Sequence, residues 1–259
     1  MKNNILNCFL FAICLTSILS TNYPALANSD RSAETDKHIE MLGSASLKTR
    51  VDAAKLVTRS GNTDPKLYNF INEKLLNEYN INSTNMDHID EMSWMCKALA
   101  ASGSANYAPT LEKIIQTANS DKLQRYAKQS LDLISENAKK NKSMNNTENI
   151  DPNLSPEINK YINMLQSDNA ELKRDAAKSI HRGHFSEKAL FDVLNKALLK
   201  DYKLTSSNDP KLTDALSWMC KALATSGMPE YKQTLEEIIK NTSDLKLKKY
   251  AEQSLGMIK

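Results

Sequence analysis

The chain has 259 residues, with 34 Lys and Arg against 31 Asp and Glu and a formal net charge of +3, a near-balance that makes no electrostatic case for nucleic acid. Six glycines, few β-branched runs and abundant Ala, Leu, Lys, Asn and Ser argue for helix over sheet. Four cysteines, two of them in an N-terminal apolar run, do not make a disulfide framework in a chain this long.

Residues 1–27 read as an export signal. Met1–Asn4 carries one Lys, the apolar run ILNCFLFAICLTSIL follows, and Ala25-Leu26-Ala27 supplies the small-x-small pattern for cleavage after Ala27. The run is short for a membrane span, and a retained anchor is the lesser alternative. The expectation is a periplasmic or secreted chain beginning at Asn28, with no membrane span after cleavage. Loss of Lys2 then lowers the net charge from +3 to +2.

Residues 28–35 are expected to fray. Helices are predicted at 36–42, 46–60, 64–79, 87–102, 105–118 and 121–138. Residues 139–155, KKNKSMNNTENIDPNLS, are polar and Asn-rich and read as a solvated linker. A second series follows at 156–166, 169–182, 186–202, 210–226, 229–241 and 243–258. Asp64-Pro65, Ser155-Pro156 and Asp209-Pro210 place an oxygen acceptor at the N-cap and Pro at the first helical position. Gly43, Gly61, Gly103, Gly183 and Gly227 fall where helices should stop.

The two series are copies. SWMCKALA occurs at Ser93 and again at Ser217, and residues 93–134 align with 217–258 without a gap at an offset of 124. Upstream the offset is 123, pairing Asp52-Ala53-Ala54-Lys55 with Asp175-Ala176-Ala177-Lys178. Short loops make successive helices antiparallel neighbours, and pairs this small must stack to bury their apolar faces. The second helix of each pair shares a frame: Thr49 to Val57, Leu123 to Leu131, Leu172 to Ile180 and Leu247 to Leu255 line up residue for residue, with Ala53, Ala127, Ala176 and Ala251 at one position and an aliphatic residue at the end. This frame resembles the second helix of HEAT repeats. The resemblance implies an all-α fold, an α–α superhelix of two tandem three-hairpin segments over 36–138 and 156–259. It also implies a binding scaffold, without fixing the ligand.

In that frame Met92, Met95, Cys96, Leu99 and Ala100 form one apolar stripe, repeated as Leu216, Met219, Cys220, Leu223 and Ala224. Cys96 and Cys220 therefore read as core thiols behaving as small hydrophobes. A disulfide between them would need equivalent points of two separate segments to approach within about 7 Å. Trp94 lies about 190° from the centre of the stripe by wheel geometry. Its slot in the six second helices reads Asp52, Trp94, Tyr126, Asp175, Trp218 and Tyr250. Three residues on, the slot reads Lys55, Lys97, Gln129, Lys178, Lys221 and Gln253. Second helices of a solenoid stand side by side, so these slots would form parallel rows on a concave face. Aromatic faces beside amines and amides suit a protein or peptide partner. The plainer reading is that the tryptophans pack against the next helix, as aromatics at helical spacing more often do.

His181-Arg182-Gly183-His184 has metal-ligand residue types, but it sits at a helix end where cations complement the dipole. Asp87 to Glu91 reads as an acidic first turn. No Gly-rich phosphate loop, Ser-His-Asp arrangement or zinc spacing appears. The expected function is non-catalytic binding, with no cofactor, no metal and no nucleic acid. The alternative is a HEAT-like lyase-type enzyme or enzyme subunit acting on a prosthetic group, against which the export signal counts. A structural spacer is the third possibility.

Overall fold

The first-turn chemistry of the sequence sets most helix starts. In the computed structural model, which describes residues 23–148, 150–204 and 209–258, Asp64, Ser155 and Asp209 each accept from backbone N–H groups two or three residues on, with Pro next in the chain. The first half comprises α1 (Tyr23–Leu42), α2 (Leu47–Ser60), α3 (Pro65–Glu78), α4 (Met86–Ala100), α5 (Ala108–Thr117) and α6 (Asp121–Met144). The second comprises α7 (Pro156–Gln166), α8 (Ala170–Arg182), α9 (Lys188–Asp201), α10 (Pro210–Ala224), α11 (Lys232–Asn241) and α12 (Leu245–Leu255). Short 3₁₀ turns precede α5 and α11 and follow α9, and no strand occurs among the described residues.

Each odd-numbered helix pairs with the even-numbered one after it. The first helices α1, α3 and α5 also touch in series, as do α7, α9 and α11, while α2–α4–α6 and α8–α10–α12 form a second layer behind them. The fold is thus an α–α solenoid of two three-hairpin segments. Each half has its own apolar core. One is centred on Leu67, Ile71, Met95 and Leu99, the other on Phe191, Leu194, Met219 and Leu223. Cys96 and Cys220 are free, fully buried, and pushed up to about 12 by burial. They are inert packing groups at neutral pH, as their place in the stripe implies.

Polar contacts repeat with the packing. Tyr107 donates to Asn69 at 2.9 Å, and its counterpart Tyr231 donates to Asp192 at 2.9 Å. Ser93 and Ser217 each return a hydroxyl to the carbonyl four residues back, at 2.7 Å. The buried ion pairs do not repeat in this way. Arg50 on α2 grips Glu91 on α4 through two bonds of 2.6 and 2.9 Å, and also donates to the Ser44 carbonyl at 2.8 Å. In the second half the equivalent basic residue, Lys173, pairs instead with Asp201 at the end of α9, both buried. Position 215, which matches Glu91, is Ala.

Three sequence expectations change. α1 starts at Tyr23, so residues 28–35 are helical rather than frayed. Thr35 is buried and accepts from the Asn62 amide at 2.9 Å, which ties this turn to the loop before α3. Residues 1–22, most of the expected export segment, lie outside the described residues. The polar stretch from 139 also does not begin as a solvated linker. α6 continues to Met144, and Asn141 and Met144 are buried. Finally, Gly61, Gly103 and Gly227 have positive φ (67, 68 and 65°), whereas Gly183 ends α8 in extended backbone.

The continuation of α6 is explained by its asparagines. Asn137 donates to the Ala100 carbonyl at 3.0 Å, Asn141 to those of Ala101 and Ser102 at 2.8 and 3.0 Å, and Asn145 to that of Gly61 at 2.9 Å. These side chains, four residues apart, share one helix face. They satisfy carbonyls that the ends of α4 and α2 leave without intrahelical partners. From α7, Asn163 donates to the carbonyls of Met144 and Asn146 at 3.2 and 2.8 Å, closing the end of α6 in turn.

Candidate binding face: paired lysine–aromatic ladders

The second-layer helices bring the predicted slots together within each half. α2 supplies Asp52 and Lys55, α4 Trp94 and Lys97, and α6 Tyr126 and Gln129. Lys97 Nζ lies 4.3 Å from the Trp94 ring centroid and 4.5 Å from that of Tyr126, so the amine sits between two aromatic rings on adjacent helices. Lys55 Nζ reaches Trp94 from the other neighbour at 5.4 Å. The second half repeats the arrangement with α8, α10 and α12. Lys221 Nζ is 4.4 Å from Trp218 and 4.2 Å from Tyr250, and Lys178 Nζ is 5.0 Å from Trp218.

Local backbone makes this possible. The tryptophan and the following lysine are three residues apart, close to one turn, so they share a face and the lysine stem can fold over the ring. The small residues Ala98 and Ala222 are fully buried. They let α4 and α10 pack closely against their neighbours. The ring edges settle the choice between packing and exposure in favour of both. Trp94 and Trp218 are half-buried and pack on the edges of their cores, while a face of each ring carries amines. Tyr126 and Tyr250 are likewise half-buried, and Gln129 and Gln253 are exposed.

The charge pattern on this face is one-sided. Asp52 is 3.7 Å from Lys55, Asp175 is 2.8 Å from Arg174, Asp90 pairs with Lys122, and Asp214 lies 3.3 Å from Lys246. Among the described residues, Lys97, Lys178 and Lys221 meet aromatic rings but no carboxylate. The two ladders remain separate. No hydrogen bond, ion pair or ring contact joins them among the described residues. The expected rows therefore exist as two short tracks, one per half.

Some features of the site had no expectation in the sequence. His181 stands edge-on to Trp218 with ring centroids 5.8 Å apart, where the first half has Thr58. The bridging of one amine by two rings needs the interhelix distance, which the slot alignment does not contain. A separate cleft of about 1180 Å³ lies between the halves, lined by Gly61, Asn62, Asn145, Asp151, Glu157 and Lys160 among others. No ladder residue lines it.

No family model matches this chain, and no curated protein matches it in sequence. Among solved structures it is similar to human deoxyhypusine hydroxylase in complex with glycerol, at 9% identity over 90% of this chain and 88% of that one, with a TM-score of 0.34. It is also similar to two engineered proteins, at 20% and 16% identity over 87% of this chain and 98% and 96% of theirs, each with a TM-score of 0.31. Likenesses this remote have no bearing on function.

Proposed function

We propose that this chain is an exported, non-catalytic HEAT-type scaffold that holds a protein or peptide partner on its two lysine–aromatic ladders. One observation carries the reading: Lys97 and Lys221 are each held between a tryptophan and a tyrosine, without a carboxylate partner, in both halves. A ring beneath an exposed amine contributes about 0.5–1 kcal/mol. It also limits the rotamers of a long side chain, so less entropy is lost when a partner orders it. The export segment at 1–27 supplies the compartment, periplasmic or extracellular, and the HEAT resemblance supplies the scaffold role. The non-catalytic reading draws support from the thiols, which burial keeps protonated at neutral pH.

The amines are the clean handle for a test. Truncating the half-buried tryptophans would cost about 1–3 kcal/mol each in packing alone. The Lys97→Gln/Lys221→Gln double variant gives up ring–amine contacts worth about 0.5–1 kcal/mol each, and should still melt cooperatively with wild-type helix content yet fail to retain the partner that the mature wild-type chain captures from envelope extract. Equal retention by the double variant would remove the ladders from the binding role.

A further inference from the structure

The ladders, taken together with the ions that flank them, narrow the partner. We infer that each ladder takes an acidic, aliphatic-containing extended peptide segment, so that one chain engages two such segments. This rests on the binding reading above and specifies its ligand.

The first argument is charge. The carboxylates beside the rings, Asp52, Asp90, Asp175 and Asp214, are already paired. The cations are in surplus. Arg59 and Arg182, four residues beyond Lys55 and Lys178 on the same helices, have no carboxylate, hydroxyl or ring partner among the described residues. With Lys97 they leave one amine and one guanidinium without a carboxylate in the first half, and with Lys178 and Lys221 two amines and one guanidinium in the second. The whole chain is near neutral, so this surplus belongs to the face rather than to the protein's overall composition. A segment bearing carboxylates is what complements it.

The second argument separates a peptide from other polyanions. Sugars and nucleobases are recognised by stacking on open aromatic faces. Here each tryptophan ring already carries two lysine amines within 5.4 Å of its centroid. The ladder presents ammonium groups in place of bare ring. Beyond the tyrosines, Gln129 and Gln253 are exposed amides that match a peptide backbone's donors and acceptors. Four residues further on, Leu133 and Met257 are 44% and 53% exposed and occupy matching places in the duplication. An aliphatic side chain of the ligand can rest on them, whereas a sulfated glycan or an oligonucleotide offers no such group.

The test is titration calorimetry of the mature chain with a short, unstructured peptide of Glu and Leu, with the intrinsic tryptophan emission recorded in parallel. The only tryptophans of the chain stand in the two ladders, so emission reports the sites directly. Two peptides should bind per chain, more weakly as salt rises. Lys97→Glu or Lys221→Glu should each leave one peptide bound, weakening the altered site at least about tenfold by like-charge repulsion. Lys97→Gln and Lys221→Gln, read with helical circular dichroism, guard against a folding defect. Binding of the Lys/Leu analogue, an oligonucleotide or a sulfated glycan in place of the acidic peptide would overturn the inference, as would no binding at all. Partner capture that is lost in the Gln double variant but not competed by the acidic peptide would overturn the ligand class alone and leave the binding reading standing. Capture unaffected by the variants would end both.

Discussion

Gly103 and Gly227 are equivalent residues with nearly the same backbone, φ of 68 and 65°, yet their surroundings differ. A Cβ on Gly103 would lie 2.6 Å from the backbone of Ala138 on α6, whereas one on Gly227 would meet nothing within 4 Å. Both substitutions by Ala incur the left-handed cost of about 1 kcal/mol. Only Gly103→Ala must also displace a helix. Gly227→Ala should therefore lower stability by about 1 kcal/mol and Gly103→Ala by about 3 kcal/mol or more in denaturant titration; equal losses would mean that α6 yields at no cost. The same contrast between copies marks the buried ion pairs. Burying a charge is tolerated only with a partner. Arg50 finds one on the neighbouring second-layer helix and Lys173 finds one at the end of a first-layer helix. The basic position was legible from the repeat frame, but its carboxylate was not, because Glu91 and Asp201 occupy positions that do not match each other in the duplication.

Among the elements, α6 departs most from expectation. Its first part reads correctly as a second helix, with Leu123, Ala127 and Ser130 buried at helical spacing. Its continuation carries no apolar stripe, so periodicity gives it no weight, and its composition matches that of a solvated linker. What holds it is amide-to-carbonyl bonding toward groups 37 to 84 residues away. A sequence reader has no register for such contacts. The one available signal is the spacing itself, Asn137, Asn141 and Asn145, a stripe one turn apart. Asn141→Ala should strip both the Ala101 and Ser102 carbonyls of their donor and cost about 1–3 kcal/mol, with the melting of the first half affected more than that of the second. Asn141→Asp tests the chemistry, since a carboxylate cannot donate to a carbonyl and should be at least as damaging. α1 shows the same limit on a smaller scale: Thr35, where fraying was expected, is buried and accepts from Asn62, and it belongs to no apolar pattern.

At the scale of the molecule, the duplication made the architecture readable. Two copies of every cap, stripe and slot agree, and the observed layers and ladders follow that agreement. How the copies join was not readable. Glu171 at the start of α8 accepts from Lys140 on α6 at 2.7 Å and from Lys211 on α10 at 3.1 Å. The bonds to Lys140 and then Lys211 hold its carboxyl at about 2, down from 4.5. A lowered carboxyl stabilises the folded state fully above its unfolded value, and that contribution disappears as pH falls from about 4.5 through about 2. Glu171 is 31% exposed, so screening limits the gain to about 1 kcal/mol or less. Wild type should thus melt above Glu171→Gln at neutral pH, and the gap should close across that acid range and shrink with added salt. A gap that persists at pH 2 would assign the difference to packing.

The placement of one sealed sulfhydryl in each core gives every half its own built-in tamper mark. In the mature chain, an alkylating reagent can modify Cys96 only when the first core opens and Cys220 only when the second does. Mass spectrometry of the two tagged peptides then times each opening separately. Equal tagging rates would show that the copies breathe as one body, and unequal rates would show which copy gives way first.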